Sequence, residues 1–193
     1  MRERSEPAAT ANKQADCSLF FACFPDRETA ERIHRLALAV CAELGLARKP
    51  KAAERLHVTL HHLGNHKGLP ARIVSAAKAA ADDVIFPAFD TQFDRLSSFP
   101  GSRHNRPVIL RGGDLAQLRE LQERLGESLT VHGLDPFRDR DYTPHLTLLY
   151  NNRRVPDASA PLVAWRVTEF VLMQSLRGQG RYVELGRWPL GPP

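Results

Sequence analysis

Two histidine tetrads are the residues of this sequence best suited to chemistry. The tetrad HVTL at 57–60 returns as HLTL at 145–148. An imidazole with an unperturbed pKa of about 6.5 gives or takes a proton near neutral pH, so two imidazoles can divide the roles of acid and base. Threonine hydroxyls donate hydrogen bonds to phosphate oxygens. Two histidines and two threonines in one site would suit phosphoryl chemistry.

Each tetrad is predicted to lie on a β-strand, because its residues alternate and the first segment is too short for a helix. Side chains alternate between the faces of a strand, so His57 and Thr59 share one face. His145 and Thr147 share a face of the second strand in the same way. If the two strands face each other about a rough twofold axis, their polar faces line a single cleft.

The elements before each tetrad follow the same order, a strand and then a capped helix. Each tetrad histidine lies 31 positions after the aspartate predicted to begin its helix. The agreement in spacing and in element order favours two related lobes. The predicted elements are a strand at 17–24, a helix from the N-cap Asp26 to Gly45, a strand at 106–112, and a helix begun by a capping box of Asp114 and Gln117.

Further strands and one further helix complete an α+β pattern. We expect a helix over 70–83, one or two strands within 84–100, and two closing strands at 165–176 and 181–188. The glycines of RGQG suit a hairpin between the closing strands. Residues 1–16 lack an apolar core and are predicted to form a disordered N-terminal tail, while residues 17–190 are predicted to form a single domain.

The composition is that of an ordinary globular chain. Hydrophobic residues make up 42% and charged residues 25%, which excludes a fibrous or wholly disordered protein. The apolar run at 36–42 is too short to span a bilayer, so no membrane association is expected. Three cysteines without Cys-x-x-Cys spacing favour a reducing cytoplasm. A net charge of +5 favours anionic partners such as nucleic acid or phosphorylated small molecules.

A metal site is the main alternative for the first tetrad, because four histidines cluster there. On a strand His57 and His61 would share a face, but no carboxylate or cysteine stands at ligand spacing in this segment. We therefore predict no metal, with His61 beside the cleft and His62 as a packing or capping residue. The four histidines are His57, His61, His62 and His66.

The tetrads and their flanking segments resemble the 2H phosphoesterase superfamily. Within it the chain is most similar to the bacterial RNA 2′,3′-cyclic phosphodiesterases, also called 2′-5′ RNA ligases. The resemblance runs from about residue 17 to 188. It is carried by LFFACFPD, RLHVTLHHLG, FPGSRHNRPVIL, YTPHLTLL and EFVLMQSLRGQGRYVELGRWPL.

The resemblance implies a bilobal α+β fold in which two pseudo-twofold-related lobes line a central cleft with antiparallel sheets and carry helices outside. It implies hydrolysis of an RNA terminal 2′,3′-cyclic phosphate to a 2′-phosphate, without metal or cofactor. His57 would be the proton donor to the departing 3′ oxygen and His145 the proton acceptor from water. Thr59 and Thr147 would hold the nonbridging oxygens.

Run backwards with an RNA 5′-hydroxyl in place of water, the same groups would form a 2′-5′ linkage. The implied partners are RNA with 2′,3′-cyclic phosphate ends or small cyclic nucleotides. The expected protein is a cytoplasmic monomer. Two alternatives remain open. One is a module that binds phosphorylated RNA ends or nucleotides without turnover, and the other is a 2H phosphodiesterase for 2′,5′-oligoadenylate or ADP-ribose cyclic phosphate.

One position departs from the family pattern. Many relatives carry a basic residue, often arginine, five positions after the second histidine, where this chain has Tyr150. Arg153 and Arg154 either replace that contact or are solvated loop charges, and Tyr150 either stacks on a base or packs at the strand end. Other basic residues predicted near the cleft or before the first tetrad are Arg103, His104, Arg106, Arg177, Arg181, and Arg48, Lys49, Lys51 and Arg55 of an exposed connector.

Overall fold

The computed structural model describes residues 15–99, 105–138 and 141–191. Residues 1–14 of the predicted tail, together with Arg103 and His104, lie outside this part. The helices are α1 (Arg27–Glu43), α2 (Ala71–Asp82) and α3 (Ala116–Val131), and short 3₁₀ turns occupy Ala53–Arg55 and Asp135–Phe137. The strands are β1 (Cys17–Cys23), β2 (Val58–His66), β3 (Phe89–Ser98), β4 (Arg106–Arg111), β5 (Leu146–Asn151), β6 (Ala158–Val167), β7 (Glu169–Leu176) and β8 (Arg181–Pro189).

The strands form an antiparallel sheet of two four-stranded halves. The strand order is β6-β3-β4-β5-β2-β1-β7-β8, so the two tetrad strands β5 and β2 lie at the centre. A single residue pair, Val58 with Leu146, joins the halves. The predicted α+β fold with a repeated strand arrangement is confirmed, although the two predicted sheets are continuous at this one pair. The half that holds β1 and β2 is not contiguous in sequence, because β7 and β8 complete it, whereas β3 to β6 of the other half follow one another along the chain.

The helices of the two repeats cross over between the halves. Helix α1, from the first repeat, packs against β5 and β6 of the second half, while α3 packs against β2 as well as β3 and α2. Each tetrad strand is therefore covered by the helix of the other repeat. This exchange fixes the two tetrads relative to one another, because neither helix can shift without disturbing the opposite strand.

Apolar side chains fill the space between the sheet and its helices. Phe21, Phe93 and Phe170 are the largest fully buried side chains, and burial of each stabilises the fold by about 1.5–3 kcal/mol. Cys17 and Cys23 are buried and free, and burial raises the pKa of both thiols. Within the described ranges, no helix is long and apolar enough to cross a membrane.

Most of the predicted elements form, with two corrections. Asp26 caps α1 as predicted, because its carboxylate accepts the Thr29 N–H at 2.9 Å. The capping box at α3 is wrong: Leu115 takes the N-cap position because its side chain is buried, and Asp114 accepts the Ala116 N–H instead.

The closing segment forms three strands rather than the predicted two. Strand β6 begins at Ala158 and ends at Val167, and β7 begins at Glu169. The sequence pattern does not predict β6, because Pro161 interrupts the run of residues typical of a strand. Proline is tolerated there because β6 is an edge strand, where one side of the backbone needs no partner.

Candidate active site

The two tetrads meet diagonally at the centre of the sheet. Because Val58 pairs with Leu146 in antiparallel register, His57 lies across from Thr147 and Thr59 lies across from His145. Each imidazole is thus opposite the hydroxyl of the other tetrad. The fold brings together all four side chains that the sequence singled out.

The two imidazoles make equivalent hydrogen bonds. His57 Nδ1 donates to the carbonyl oxygen of Arg55 at 2.8 Å, and His145 Nδ1 donates to that of Thr143 at 2.8 Å. A carbonyl oxygen only accepts, so Nδ1 carries the hydrogen in both rings. In the neutral form of each ring, Nε2 is therefore the nitrogen whose lone pair can accept a proton.

A β-bulge follows the threonine in both tetrads. The pairing of β1 with β2 skips Leu60, and the pairing of β4 with β5 skips Leu148. A bulge adds one residue to a strand and reverses the alternation of the side chains beyond it. The residues that return to the cleft side are therefore His62 and Tyr150, each five positions after its tetrad histidine.

The bulge at Leu60 overturns the assignment of the two neighbouring histidines. His61, predicted beside the cleft, is 1% exposed and its Nε2 lies 2.7 Å from the carbonyl oxygen of Gln122 on α3. His62, predicted to pack or cap, is exposed at the cleft, where its Nε2 lies 2.9 Å from Ser18 Oγ. The sequence-based prediction placed His61 and His62 on the wrong faces because it assumed strict alternation of side chains along an unbroken strand.

The clustered histidines also separate in space. His61 points to α3, and His66 Nε2 bonds the carbonyl oxygen of Leu63 at 2.7 Å. In the part of the chain that the structure describes, no three histidine, cysteine or acidic residues form a group arranged to hold a metal ion.

Substituting the two neighbouring histidines by leucine should give opposite results. His61→Leu is expected to lower the free energy of unfolding by about 0.5–1.5 kcal/mol, because it removes the buried hydrogen bond from the imidazole to the Gln122 carbonyl. His62→Leu should change it by less than about 0.5 kcal/mol. Urea denaturation of both variants measures the difference. Equal losses of unfolding free energy in the two variants would contradict the conclusion that the bulge buries His61 and exposes His62.

Aromatic rings enclose the first catalytic candidate. Phe20 stacks on the His57 ring at a centroid distance of 4.9 Å, Phe24 lies at 5.2 Å, and Tyr182 meets the ring edge-on at 5.7 Å. These contacts fix the plane of the imidazole and remove much of its hydration. None of the three rings was predicted, because each lies far from His57 in sequence or inside a segment that reads as core.

A cavity of about 520 Å³ lies between Thr59 of the first tetrad and His145 of the second. Phe99 forms its aromatic wall and meets the His145 ring edge-on at a centroid distance of 4.7 Å. The remaining lining includes Phe137, Arg138 and Tyr142 from the chain between α3 and β5. The cavity therefore combines apolar surface with one polar residue of each tetrad, Thr59 and His145.

Two cations set the electrostatics around His57. Burial, followed by the positive charge of Lys51, lowers the pKa of His57 to about 3; the hydrogen bond to the Arg55 carbonyl opposes this shift, and His145 and the Arg55 guanidinium add to it. Burial and Arg55 also lower the pKa of Lys51, to about 8. His57 is thus neutral in the free protein at pH 7, and the positive charge beside it is available for an anion.

Two other predicted cations, Arg153 and Arg106, bond backbone carbonyls. Arg153 donates to the carbonyl oxygens of Leu44 and Gly45 at 2.5 and 3.1 Å and so closes the C-terminal end of α1. Arg106 donates to the Asn152 carbonyl at 3.3 Å. Sequence treated Lys51 and Arg55 as part of an exposed connector, but both are half-buried beside the site.

Two antiparallel half-sheets that each present a histidine and a threonine to one cleft define the class, a 2H phosphoesterase. The protein-family model of the 2′-5′ RNA ligase superfamily matches residues 23–179 of this chain. The chain belongs to this superfamily, and its activity is of the phosphodiesterase type.

Solved structures of the superfamily share the fold. Escherichia coli LigT complexed with 3′-AMP is 29% identical, with a TM-score of 0.73 over 90% of this chain and 97% of that one. LigT complexed with ATP is 27% identical, with a TM-score of 0.71 over 91% and 98%. TT0787 of Thermus thermophilus, at 22% identity, 89% and 97% coverage and a TM-score of 0.68, supports the fold alone. No curated protein matches the chain.

Proposed function

We propose that this protein hydrolyses the 2′,3′-cyclic phosphate at an RNA 3′ end to a 2′-phosphate, without a metal. The observation that carries the proposal is the matched orientation of the two imidazoles. Both histidines donate Nδ1–H to a backbone carbonyl two residues earlier, and each faces the threonine of the other tetrad. Opening a cyclic phosphate needs an acid and a base on opposite sides of phosphorus, and this pair supplies one from each half.

In the proposed reaction His145 Nε2 takes a proton from water as its oxygen attacks phosphorus in line. The bond from phosphorus to the 3′ oxygen breaks, and His57 Nε2 gives its proton to that oxygen. The electron pair of the broken bond stays on the 3′ oxygen, which leaves as a hydroxyl, and the phosphate remains on the 2′ oxygen. Thr59 and Thr147 hold the nonbridging oxygens through their hydroxyls.

His57 must be protonated when the substrate is bound, although its pKa in the free protein is about 3. A phosphodiester anion supplies the negative charge that the site lacks and offsets Lys51 and Arg55. Opposite charge close to an imidazole raises its pKa. Substrate binding therefore favours the protonated form of His57, which acts as the acid in the proposed reaction.

The cavity between Thr59 and His145 is a suitable place for the terminal nucleoside. Its aromatic side chains Phe99, Phe137 and Tyr142 can stack on a base without demanding one sequence. The LigT structures with 3′-AMP and with ATP show that relatives of this fold hold nucleotides.

The deciding experiment is incubation with an RNA oligonucleotide that ends in a 2′,3′-cyclic phosphate, in the presence of EDTA. We expect a 2′-phosphate product. Parallel assays with 2′,5′-oligoadenylate and ADP-ribose cyclic phosphate rank the substrate classes. Binding of the RNA without turnover would identify a binding module, and loss of turnover in EDTA would contradict the metal-free mechanism. Incubating the same cyclic-ended RNA with a 5′-hydroxyl RNA tests the reverse formation of a 2′-5′ linkage.

Removing either tetrad hydroxyl should weaken catalysis without unfolding the protein. Thr59→Val and Thr147→Val are each expected to lower kcat/KM by about 10- to 100-fold, because each loses a hydrogen bond to a charged phosphate oxygen. Steady-state kinetics on the cyclic RNA measures the loss. Thr168→Val, at an exposed position between β6 and β7, is the matched control and should retain full activity.

A further inference from the structure

The segment just before the first tetrad carries an unneutralised pair of cations. Lys51 and Arg55 are both half-buried, whereas Arg48 and Lys49 of the same segment are exposed. Within the described ranges, no carboxylate lies within ion-pair distance of Lys51 or Arg55. Partly buried positive charge without a counterion is costly, so its retention beside His57 indicates a ligand that supplies the negative charge.

Backbone bonds hold Lys51 at the junction of the two tetrads. Its N–H donates to the carbonyl oxygen of Leu148 at 2.7 Å, which ties the segment to the second tetrad strand. Its own carbonyl oxygen accepts from His34 Nδ1 of α1 at 2.8 Å. Lys51 therefore precedes the first tetrad in sequence but is bonded to the strand of the second tetrad.

Tyrosine rings orient both cations. Lys51 Nζ lies 5.8 Å from the centroid of the Tyr150 ring, and the Arg55 guanidinium carbon lies 4.8 Å from that of Tyr182. Tyr182 also meets the His57 ring. Rings in these positions attract the cations and offer no competing negative charge. The bulge at Leu148 is what turns Tyr150 to this side.

The Arg55 side chain has hydrogen-bonding capacity to spare. Its Nε is buried and meets no acceptor in the described part of the chain. Gly180 of the β7–β8 hairpin lies beside the guanidinium, since a Cβ there would be in ordinary van der Waals contact with Arg55 Nη1 at 3.6 Å. An oxyanion in the cleft would satisfy this donor.

We propose that Lys51 and Arg55 bind the phosphate of the substrate on the His57 side of the cleft, with Lys51 supplying the charge that Tyr150 cannot. The inference rests on the proposed function for its substrate class. It assigns to this chain a phosphate contact that comes from the loop before β2 instead of from the end of β5. Phosphate bound between the two cations would also lie beside the imidazole that must be protonated.

The test is binding of inorganic phosphate, which needs no turnover, measured by isothermal titration calorimetry. Lys51→Met and Arg55→Gln are each expected to raise Kd about 10-fold or more, because each loses a charge-assisted contact. Lys51→Arg should stay close to wild type. Lys49→Met is the matched control, since it removes an exposed cation two residues away. Unchanged phosphate affinity in Lys51→Met would overturn the proposal.

The pH dependence provides a signature that a structural role would not give. Phosphate affinity of the wild type should fall above a pH of about 8, where Lys51 loses its charge. The fall should disappear in Lys51→Arg, because arginine stays protonated. The other charged or titratable groups in this part of the cleft are Arg55, His34, His57, His145, Tyr150 and Tyr182, and they are the same in both proteins. A fall that persists unchanged in Lys51→Arg would assign it to another group and contradict the role of Lys51.

A measurement on the unaltered protein covers the case in which a variant does not fold. The ¹⁵N resonance of Lys51 Nζ should shift when phosphate is added, and saturable phosphate binding without any shift would overturn the proposal. The two proposals can fail separately. If the wild type opens no cyclic phosphate but its phosphate binding depends on Lys51, only the proposed function fails. If Lys51→Met opens the cyclic RNA with an unchanged KM, only the present inference fails.

Discussion

Alanine at either tetrad histidine is expected to lower kcat for opening of the RNA 2′,3′-cyclic phosphate by about 10²–10⁴-fold. His57→Ala removes the proposed acid and His145→Ala the proposed base, and general acid–base catalysis contributes a factor of this size. The measurement is single-turnover kinetics with EDTA present. The double variant should lose much less than the product of the two single losses, because groups that act as a unit are not additive.

The control for this experiment is His132→Ala. His132 lies at the end of α3, where its Nε2 is 2.8 Å from Asp83 Oδ2, outside the cleft. Circular dichroism before the assay checks that each variant is folded. Full activity in the His57→Ala, His145→Ala double variant would rule out the assignment of both residues.

The His57 ring should titrate far below an ordinary histidine in the free protein. Its pKa of about 3, lowered from 6.5 by burial and by Lys51, corresponds to a proton affinity reduced by more than a thousandfold. Titration of the His57 Cε1–H resonance by NMR measures this value. Inorganic phosphate should raise the pKa, because the bound anion offsets both cations, and Lys51→Met should raise it without phosphate.

The same shift predicts a pH dependence of stability. Between pH 6.5 and about 3 the unfolded chain protonates His57 while the native protein does not. The free energy of unfolding should therefore fall as the pH is lowered through this window, and His57→Gln should reduce the slope. A His57 resonance that titrates near 6.5 in the free protein would contradict the electrostatic account of the site.

Sequence alone predicted the repeat and the four side chains of the candidate site. Two His-x-Thr-Leu tetrads, each 31 positions after an aspartate, identified the four side chains that the fold brings together. It also predicted α1 and its cap at Asp26, because a side-chain cap is a local interaction between residues three positions apart. Such features can be predicted from sequence because the interactions that cause them join residues only a few positions apart.

Local patterns failed where packing overrides propensity. The start of α3 is decided by burial of Leu115, which takes the cap position from Asp114. Strand β6 contains Pro161 and is permitted only because it lies at an edge. Neither fact is visible before the neighbours of the segment are known.

Tertiary structure alone decided what surrounds the tetrads. The bulges at Leu60 and Leu148 reverse the side chains beyond them, so His62 and Tyr150 face the cleft while His61 is buried against α3. Exchange of α1 and α3 between the halves locks the tetrads together, and a backbone bond to Leu148 places Lys51 beside both of them. These features depend on contacts between segments about 40 or more positions apart, and such contacts leave no periodic mark in either segment.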